Sequence, residues 1–286
     1  MIRHVTYATD ERYVPHVLAS LRSVAAYSRG LVARATILAL DVPKRLENRL
    51  SARVPGIEVH WIDVDDAFGS RLPTTHHLTR AAYLRLLMPR LVEEPFLYLD
   101  ADTIACADLS PLLNFDIAGG IGAAVENPGN GDYAGLGLSP DSPYMNSGVL
   151  LIDPTAWNSN RISERALEFA ESFPHLIRWA DQCAINAVSV GRLTPLPPHF
   201  NVQHSFFSDW NERGIKARTF SHEEAIAARL NPTILHYSGS TKPWHLRNTH
   251  PLKSSYWKHR NWHRTDWLAG RLSILAGRMW YAAKSI

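Results

Sequence analysis

The chain has 286 residues, 45% hydrophobic and 20% charged, enough for a full core in one large domain or two small ones. No apolar stretch reaches membrane-spanning length, the start enters a strand-like pattern without a signal-peptide profile, and Cys106 and Cys183 exclude a disulfide framework, which together point to a reducing, cytoplasmic setting. The net charge of +3 divides into +6 over residues 251–286 and −3 over the rest, which argues against a general nucleic-acid surface on the body.

Apolar runs of strand length alternate with helix-period segments. Residues 4–8 form the first strand, and Val14, Val17, Leu18, Leu21 and Val24 then recur at helical spacing. Residues 35–39 are the second strand, followed by a helix from Asp41-Val42-Pro43-Lys44 with Asp41 as its cap. Residues 57–62 include the alternation of a half-exposed edge strand and lead to Asp63-Val64-Asp65. Residues 78–88 read as a third helix stopped near Pro89, and residues 96–99 as a strand buried on both faces. Residues 121–125, 148–152 and 233–237 complete the strands. Residues 126–143, rich in Pro and Gly, form a long loop, either a binding loop or plain surface irregularity. The alternation predicts an α/β domain around a largely parallel sheet, where ligands gather beyond the carboxyl ends of the strands.

Asp100-Ala101-Asp102 ends the buried strand at 96–99. Hard divalent cations take several oxygen ligands, and Asp-x-Asp supplies two from one turn. A lone Asp-x-Asp is more often a solvated turn, and Asp63-Val64-Asp65 is such a decoy. Three more strand ends carry candidates with ordinary alternatives. Asp10 either caps the following helix, the commoner role, or binds a ligand. Asn146 and Ser147 offer an amide and a hydroxyl, or form an Asn-Ser-Gly turn. His236 precedes Gly239 and Lys242, and a lone His at such a place is more often a satisfied core residue than a ligand.

The ordered set of motifs is more specific than any one of them. Ala-Thr-Asp near the start, Tyr83-x-Arg85-Leu86, Tyr-Leu-Asp-Ala-Asp, Asn-Ser-Gly-Val-Leu-Leu-Ile, Asp181-Gln182, Phe200-Asn201 and His-Tyr-x-Gly-x-x-Lys-Pro-Trp run in order over residues 1–245. In this the chain resembles glycosyltransferase family 8, nearest to bacterial lipopolysaccharide and lipooligosaccharide galactosyl- or glucosyltransferases and more distantly glycogenin. The resemblance implies a Rossmann-like nucleotide-sugar fold of GT-A type, a UDP-sugar donor, Mn²⁺ (or Mg²⁺) and retention of anomeric configuration. It implies that Asp100, Asp102 and His236 ligate the metal and that Lys242 and Gly239 meet the diphosphate. Ala8, Asp10 and Tyr13 would receive the uridine, and Ala101 the ribose. Arg85, Asn146, Ser147, Asp181 and Gln182 would line the donor sugar, with Gln182 or Asp181 as the catalytic group and His77 near the acceptor. Two positions depart from the pattern: Cys183 where many relatives carry an acid, and Arg12 where close relatives often have Asn.

The tail interleaves Trp257, Trp262, Trp267, Trp280, Tyr256 and Tyr281 with basic residues. On a helix Arg264, Arg271 and Arg278 form a stripe flanked by Leu268, Leu272, Leu275 and Met279. Such a segment binds an anionic membrane surface or packs on the body as a terminal helix, and both readings stand. The lipid-linked acceptors of resembling enzymes favour peripheral attachment at the inner face of the membrane. The expected division is a catalytic domain at 1–247 and a basic, Trp-rich helical tail at 248–286. Two rivals are a haloacid-dehalogenase-like phosphatase, whose motif wants Thr or Val where Ile104 stands, and a nucleotide-sugar-binding protein without turnover.

Overall fold

The structure is a computed structural model that describes residues 1–65, 68, 70, 72–74, 80–117, 119–129, 133–260, 262–263, 265–266 and 268–275. The first apolar run forms β1 (His4–Asp10), followed by α1 (Val14–Tyr27), β2 (Arg34–Leu40), α2 (Lys44–Ser51) and β3 (Glu58–Val64). Pro15 lies in the first turn of α1, where a missing N–H leaves no bond unmade. A 3₁₀ stretch, Arg80–Leu87, passes into α3 (Met88–Leu91), β4 (Phe96–Leu99), β5 (Thr103–Ala105) and α4 (Ser110–Leu113). The second half begins with β6 (Gly122–Glu126), β7 (Met145–Ile152), α5 (Pro154–Ser159), α6 (Ile162–Ser172) and α7 (Asp181–Val188). It ends with β8 (Leu193–Pro195), α8 (Trp210–Arg213), α9 (His222–Leu230), β9 (Ile234–His236) and α10 (Lys253–His259).

The main sheet has the order β3-β2-β1-β4-β7-β6-β8. Strands β3, β2, β1 and β4 are parallel, while β7 runs against both of its neighbours. Leu99 pairs with Val149, so the amino end of β7 meets the carboxyl end of β4. A separate antiparallel pair, β5 with β9, sets Thr103 opposite His236. These two registers build the site. The pleat of β4 sends Leu97 and Leu99 into one core with α1, and Phe96 and Tyr98 into a second core with residues of α6 and α7.

The expected α/β class and the edge position of β3 hold, and four details differ. Asp41 does not cap α2: its φ is +53°, and the cap position is Pro43 with no side-chain bond. Pro89 starts α3 instead of ending a helix. Lacking an N–H, it cannot bond back to the Arg85 carbonyl, which breaks the α ladder where the 3₁₀ stretch lies. Strand β7 begins at Met145, so Asn146 and Ser147 lie within it. Finally, packing does not break at 247/248. Tyr256 and Trp262 are buried in the core shared with β1 and α1, and Tyr237 Oη donates to Leu252 O at 2.8 Å. An aromatic ring buries a large apolar area once its polar atom is satisfied, and this part of the tail does so against the body. No helix among the described residues is long and apolar enough to cross a membrane.

Candidate active site

Strand β4 carries Asp100 just past its end, the following turn carries Asp102, and the β5–β9 pairing brings His236 beside them. One ligand atom from each of these three residues lies within 4.8 Å of the other two. His236 Nε2 is 3.4 Å from Asp102 Oδ1 and 3.8 Å from Asp100 Oδ2. The proton on the ring can be placed by following the amides behind it. The Gly148 N–H donates to Asn146 Oδ1 at 2.9 Å, which fixes that atom as oxygen. Asn201 must then present its Nδ2 to the same oxygen, at 2.8 Å, and its Oδ1 to His236 Nδ1, at 3.0 Å. Nδ1 therefore carries a proton, which leaves Nε2, the atom facing the carboxylates, as the one ring nitrogen that could offer a lone pair to a metal. Gly148 makes room: a Cβ there would sit 2.3 Å from His236 Cε1 and 2.6 Å from Asp100 Oδ2. Two carboxylates and an imidazole suit Mn²⁺, with Mg²⁺ the harder alternative, so the residues fit the expected ion.

Cations surround this cluster. Lys242 Nζ donates to Asp102 Oδ2 at 2.6 Å and to Tyr237 O at 2.8 Å. Burial alone would raise the Asp102 pKa, but the Lys242 ammonium, joined by the His236 ring in its charged form, outweighs it and holds the carboxyl well below the usual range. Buried Arg85 reaches Asp100 Oδ1 at 2.9 Å and Ser147 O at 2.5 Å, under the Tyr98 ring at 4.6 Å. Its Nε lies 2.9 Å from Asp181 Oδ2 but donates to Ala82 O, so Asp181 gains charge contact without an aligned hydrogen bond. Burial accordingly pushes the Asp181 carboxyl up to about 7 against the pull of Arg85, with Asp100 adding to the rise.

The sugar-side candidates form an amide chain. Gln182 Oε1 accepts from Asn146 Nδ2 at 3.0 Å and from the Ser147 N–H at 3.2 Å. Asn186 pins the start of β7 by bonding both Met145 N and Met145 O, at 2.7 and 2.8 Å. Ala180, just before the Asp181-Gln182 pair, has φ +43°, a strained value for a residue with a side chain. Cys183 is buried, with its sulfur 3.1 Å from Tyr144 Oη.

The nucleotide-side candidates lie at the neighbouring strand end. Ala8 is buried in β1, and Asp10 Oδ1 accepts from the N–H groups of Arg12 and Tyr13 at 3.0 and 3.1 Å, so one oxygen serves the turn into α1. Tyr13 sits edge-on to Trp244 at 5.9 Å, and burial followed by Asp102, Asp10 and Asp100 pushes its phenol up to about 12. An open depression of about 280 Å³ is lined by Asp10, Glu11, Arg12, Leu40, Asp41 and Arg80. Ala101 is buried between the two aspartates, and a Cβ on Gly239 would meet the His204 ring at 3.1 Å. His77 lies outside the described residues. Sequence reasoning missed the roles of Gly148, Tyr98 (which donates to Asp100 Oδ1 at 3.0 Å) and Asn201. Asn201 stood in the Phe-Asn pair, the one available signal.

A mixed α/β sheet with paired aspartates and a histidine at its strand ends is the arrangement expected of a glycosyltransferase of the GT-A fold. The family model "Glycosyl transferase family 8" matches residues 4–248, and the chain belongs to that family. Among curated relatives, general stress protein A of Bacillus subtilis (strain 168) is 28% identical over 238 residues, 79% of this chain and 79% of that protein. The lipopolysaccharide 1,2-glucosyltransferase of Escherichia coli (strain K12) is 26% identical over 275 residues, 89% of this chain and 79% of that protein. The galactosyltransferase LgtC, solved with donor and acceptor sugar analogs, superposes with a TM-score of 0.75 at 22% identity, covering 96% of this chain and 95% of that one. An active-site mutant of LgtC gives a TM-score of 0.80 at 20% identity, covering 90% and 94%. Family membership sets the phosphatase reading aside. The shared segment ends near residue 248, whereas packing on the body continues to Trp262.

Proposed function

We propose that the protein is a metal-dependent, retaining hexosyltransferase that moves galactose or glucose from a UDP-sugar to a glycan or lipid-linked saccharide. The pathway would be synthesis of lipopolysaccharide or another surface glycan. The observation that carries this reading is the cluster of Asp100, Asp102 and His236 with Lys242 bonded to one of its carboxylates. The activities named for the relatives support the sugar and acceptor class. Asp100, Asp102 and His236 would hold Mn²⁺ or Mg²⁺, which when bound supplies Lewis-acid charge to the diphosphate. Lys242 adds a point charge to the same phosphates, and Gly239 gives their oxygens room. Asp10 and Tyr13 take the uracil beside Ala8, the Ala101 backbone takes the ribose, and His77 contacts the acceptor. Arg85, Asn146, Ser147, Asp181 and Gln182 surround the hexose.

Retention follows from front-face attack. The bond between the anomeric carbon and the departing phosphate oxygen breaks, the acceptor oxygen bonds on the same face, and the acceptor proton passes to that phosphate oxygen. Gln182 stabilises positive charge on the ring through Oε1. To do so it releases one of its two present donors, and the longer contact to Ser147 N is the one to yield. Covalent attack by Asp181 is the weaker alternative, because its Oδ2 is held against Arg85 inside the fold.

Beyond the packed segment, residues 268–275 are helical and leave Leu268, Leu272 and Leu275 exposed beside Arg271. This row supports attachment of the distal tail to an anionic membrane surface at its inner face. Arg264, Trp267 and residues 276–286, which include Arg278, Met279, Trp280, Tyr281 and Lys284, lie outside the described residues.

Incubation with Mn²⁺ and a panel of UDP-sugars, reading UDP release, tests the donor and the metal together. Release from UDP-galactose or UDP-glucose that stops with excess chelator is expected, and turnover indifferent to chelator overturns the metal assignment. Proton coupling at the new anomeric centre should report an α linkage, and a β product rules out front-face attack. Co-sedimentation with anionic vesicles should be lost in a chain ending at residue 266, and equal binding by both forms refutes the membrane role of the tail.

A further inference from the structure

The segment after the Lys242 loop grips that loop on both sides of the lysine. Asn248 Nδ2 donates to Thr241 O at 2.8 Å, and Trp257 Nε1 on α10 donates to Pro243 O at 3.1 Å. Lys242 itself is bonded twice to His245: its N–H donates to His245 Nδ1 at 3.2 Å, and its carbonyl accepts from His245 N at 2.9 Å. The backbone of Lys242 is thus fixed by His245, and both flanking carbonyls by residues beyond the loop.

The gripping residues are themselves anchored. Buried Lys253 Nζ donates to Asn248 O at 2.6 Å, and Asn248 Oδ1 accepts from His250 N at 3.0 Å. Trp257 neighbours Tyr256, whose fully buried phenol meets His16 Nδ1 at 2.7 Å. The His16 ring stacks at 3.5 Å on Trp244, the residue after Pro243. The result is a closed circuit from α10 through α1 and back to the loop. A lysine loses much rotamer freedom when its ammonium is fixed, and a backbone already in place lowers the cost of ligand binding.

We infer that Asn248 and Trp257 are positioning residues for donor binding, setting the Lys242 backbone so that its ammonium reaches a diphosphate beside Asp102. The inference rests on the reading of Lys242 as a diphosphate ligand. Trp257 lies beyond the segment matched by the family model.

Calorimetric titration of the full chain with UDP in the presence of Mn²⁺ separates the two. Lys242→Ala should weaken UDP by about tenfold or more, and unchanged affinity there removes the ligand reading and this inference with it. Trp257→Phe keeps an aromatic ring at the site but deletes the indole N–H together with its five-membered ring. It should weaken UDP by up to about tenfold, the ceiling set by one hydrogen bond, with kcat at saturating donor nearly unchanged and the thermal midpoint lowered only modestly. Asn248→Ser should act in the same direction. In the Lys242→Ala background, Trp257→Phe should cause no further loss, because the group it positions is gone. If Lys242→Ala weakens UDP while both Trp257→Phe and Asn248→Ser bind it as the native chain does, the positioning role alone is overturned. Full additivity of Trp257→Phe with Lys242→Ala overturns it as well.

Discussion

Strand β9 and the loop after it are held from two sides by different physics. On the sheet side, Asp100, Asp102, Asn201 and Tyr237 hold His236 and Lys242 through charge and aimed hydrogen bonds. On the other side, residues 248–262 hold the same loop chiefly by aromatic burial, with Tyr256 and Trp262 in the core. The first region tolerates almost no chemical change because each atom has a partner of matching polarity. The second is sensitive to volume at Tyr256 and Trp262, and to hydrogen-bond chemistry at Asn248 and Trp257, where it grips the loop. Function and stability should therefore separate most clearly between the charged cluster and the buried rings of Tyr256 and Trp262.

The largest separation is expected at Asp102. Asp102→Ala should lower transfer by about a thousandfold while the far-UV spectrum persists, since it removes a proposed metal ligand and the partner of Lys242. Retained turnover would break the contrast at its functional end. Tyr256→Ala should do the reverse, costing about 3–5 kcal/mol of stability in urea titrations, in line with buried aromatic truncations. The remaining folded fraction should keep most of its kcat. Asn201→Ala sharpens the comparison, because it touches neither metal nor substrate. It should weaken Mn²⁺ by about ten- to a hundredfold, with activity recovered at high metal concentration.

A separate effect is set by pH. Burial, reinforced by His204, lowers the His250 pKa to about 3, and burial, reinforced by Lys258 and Arg22, lowers that of His259 to about 4. A histidine depressed in the fold contributes stability that is complete above its unfolded pKa of about 6.5 and is lost as pH falls toward the folded value. Urea midpoints should thus decline from pH 7 to pH 4. His250→Phe should flatten that slope, and a slope unaltered by it would assign the acid sensitivity to other groups.

The candidate metal ligands were legible because their chemistry admits few residue types and each sits at the end of an apolar run. The fold was legible wherever a strand exceeded four residues or lay between turn signals. Strands β5 and β8, three residues each, are too short to carry a period, although β5 supplies the register that seats His236. Asn201 escaped assignment of a role because a buried neutral amide leaves no pattern in sequence. The tail misled in a different way. Tryptophan and arginine interleaved at 251–286 suit both a membrane surface and a core edge, and only burial distinguishes Trp262, in the core, from exposed Leu272. Asp41 followed the cap rule in composition but not in backbone, because its φ is positive.

The amide chain behind His236 has a polarity, and one backbone group sets it. Gly148 N–H can only donate, so Asn146, Asn201 and His236 fall into a single head-to-tail order that no member can leave alone. Were the Asn201 amide reversed, its oxygen would face Asn146 Oδ1 and its Nδ2 would face His236 Nδ1, so the imidazole would have to move its proton to Nε2. That tautomer would point a hydrogen at Asp100 and Asp102 and close the position to a cation. The direction of a main-chain N–H in β7 thus decides whether the site reads as a ligand set or as a sealed hydrogen-bond network.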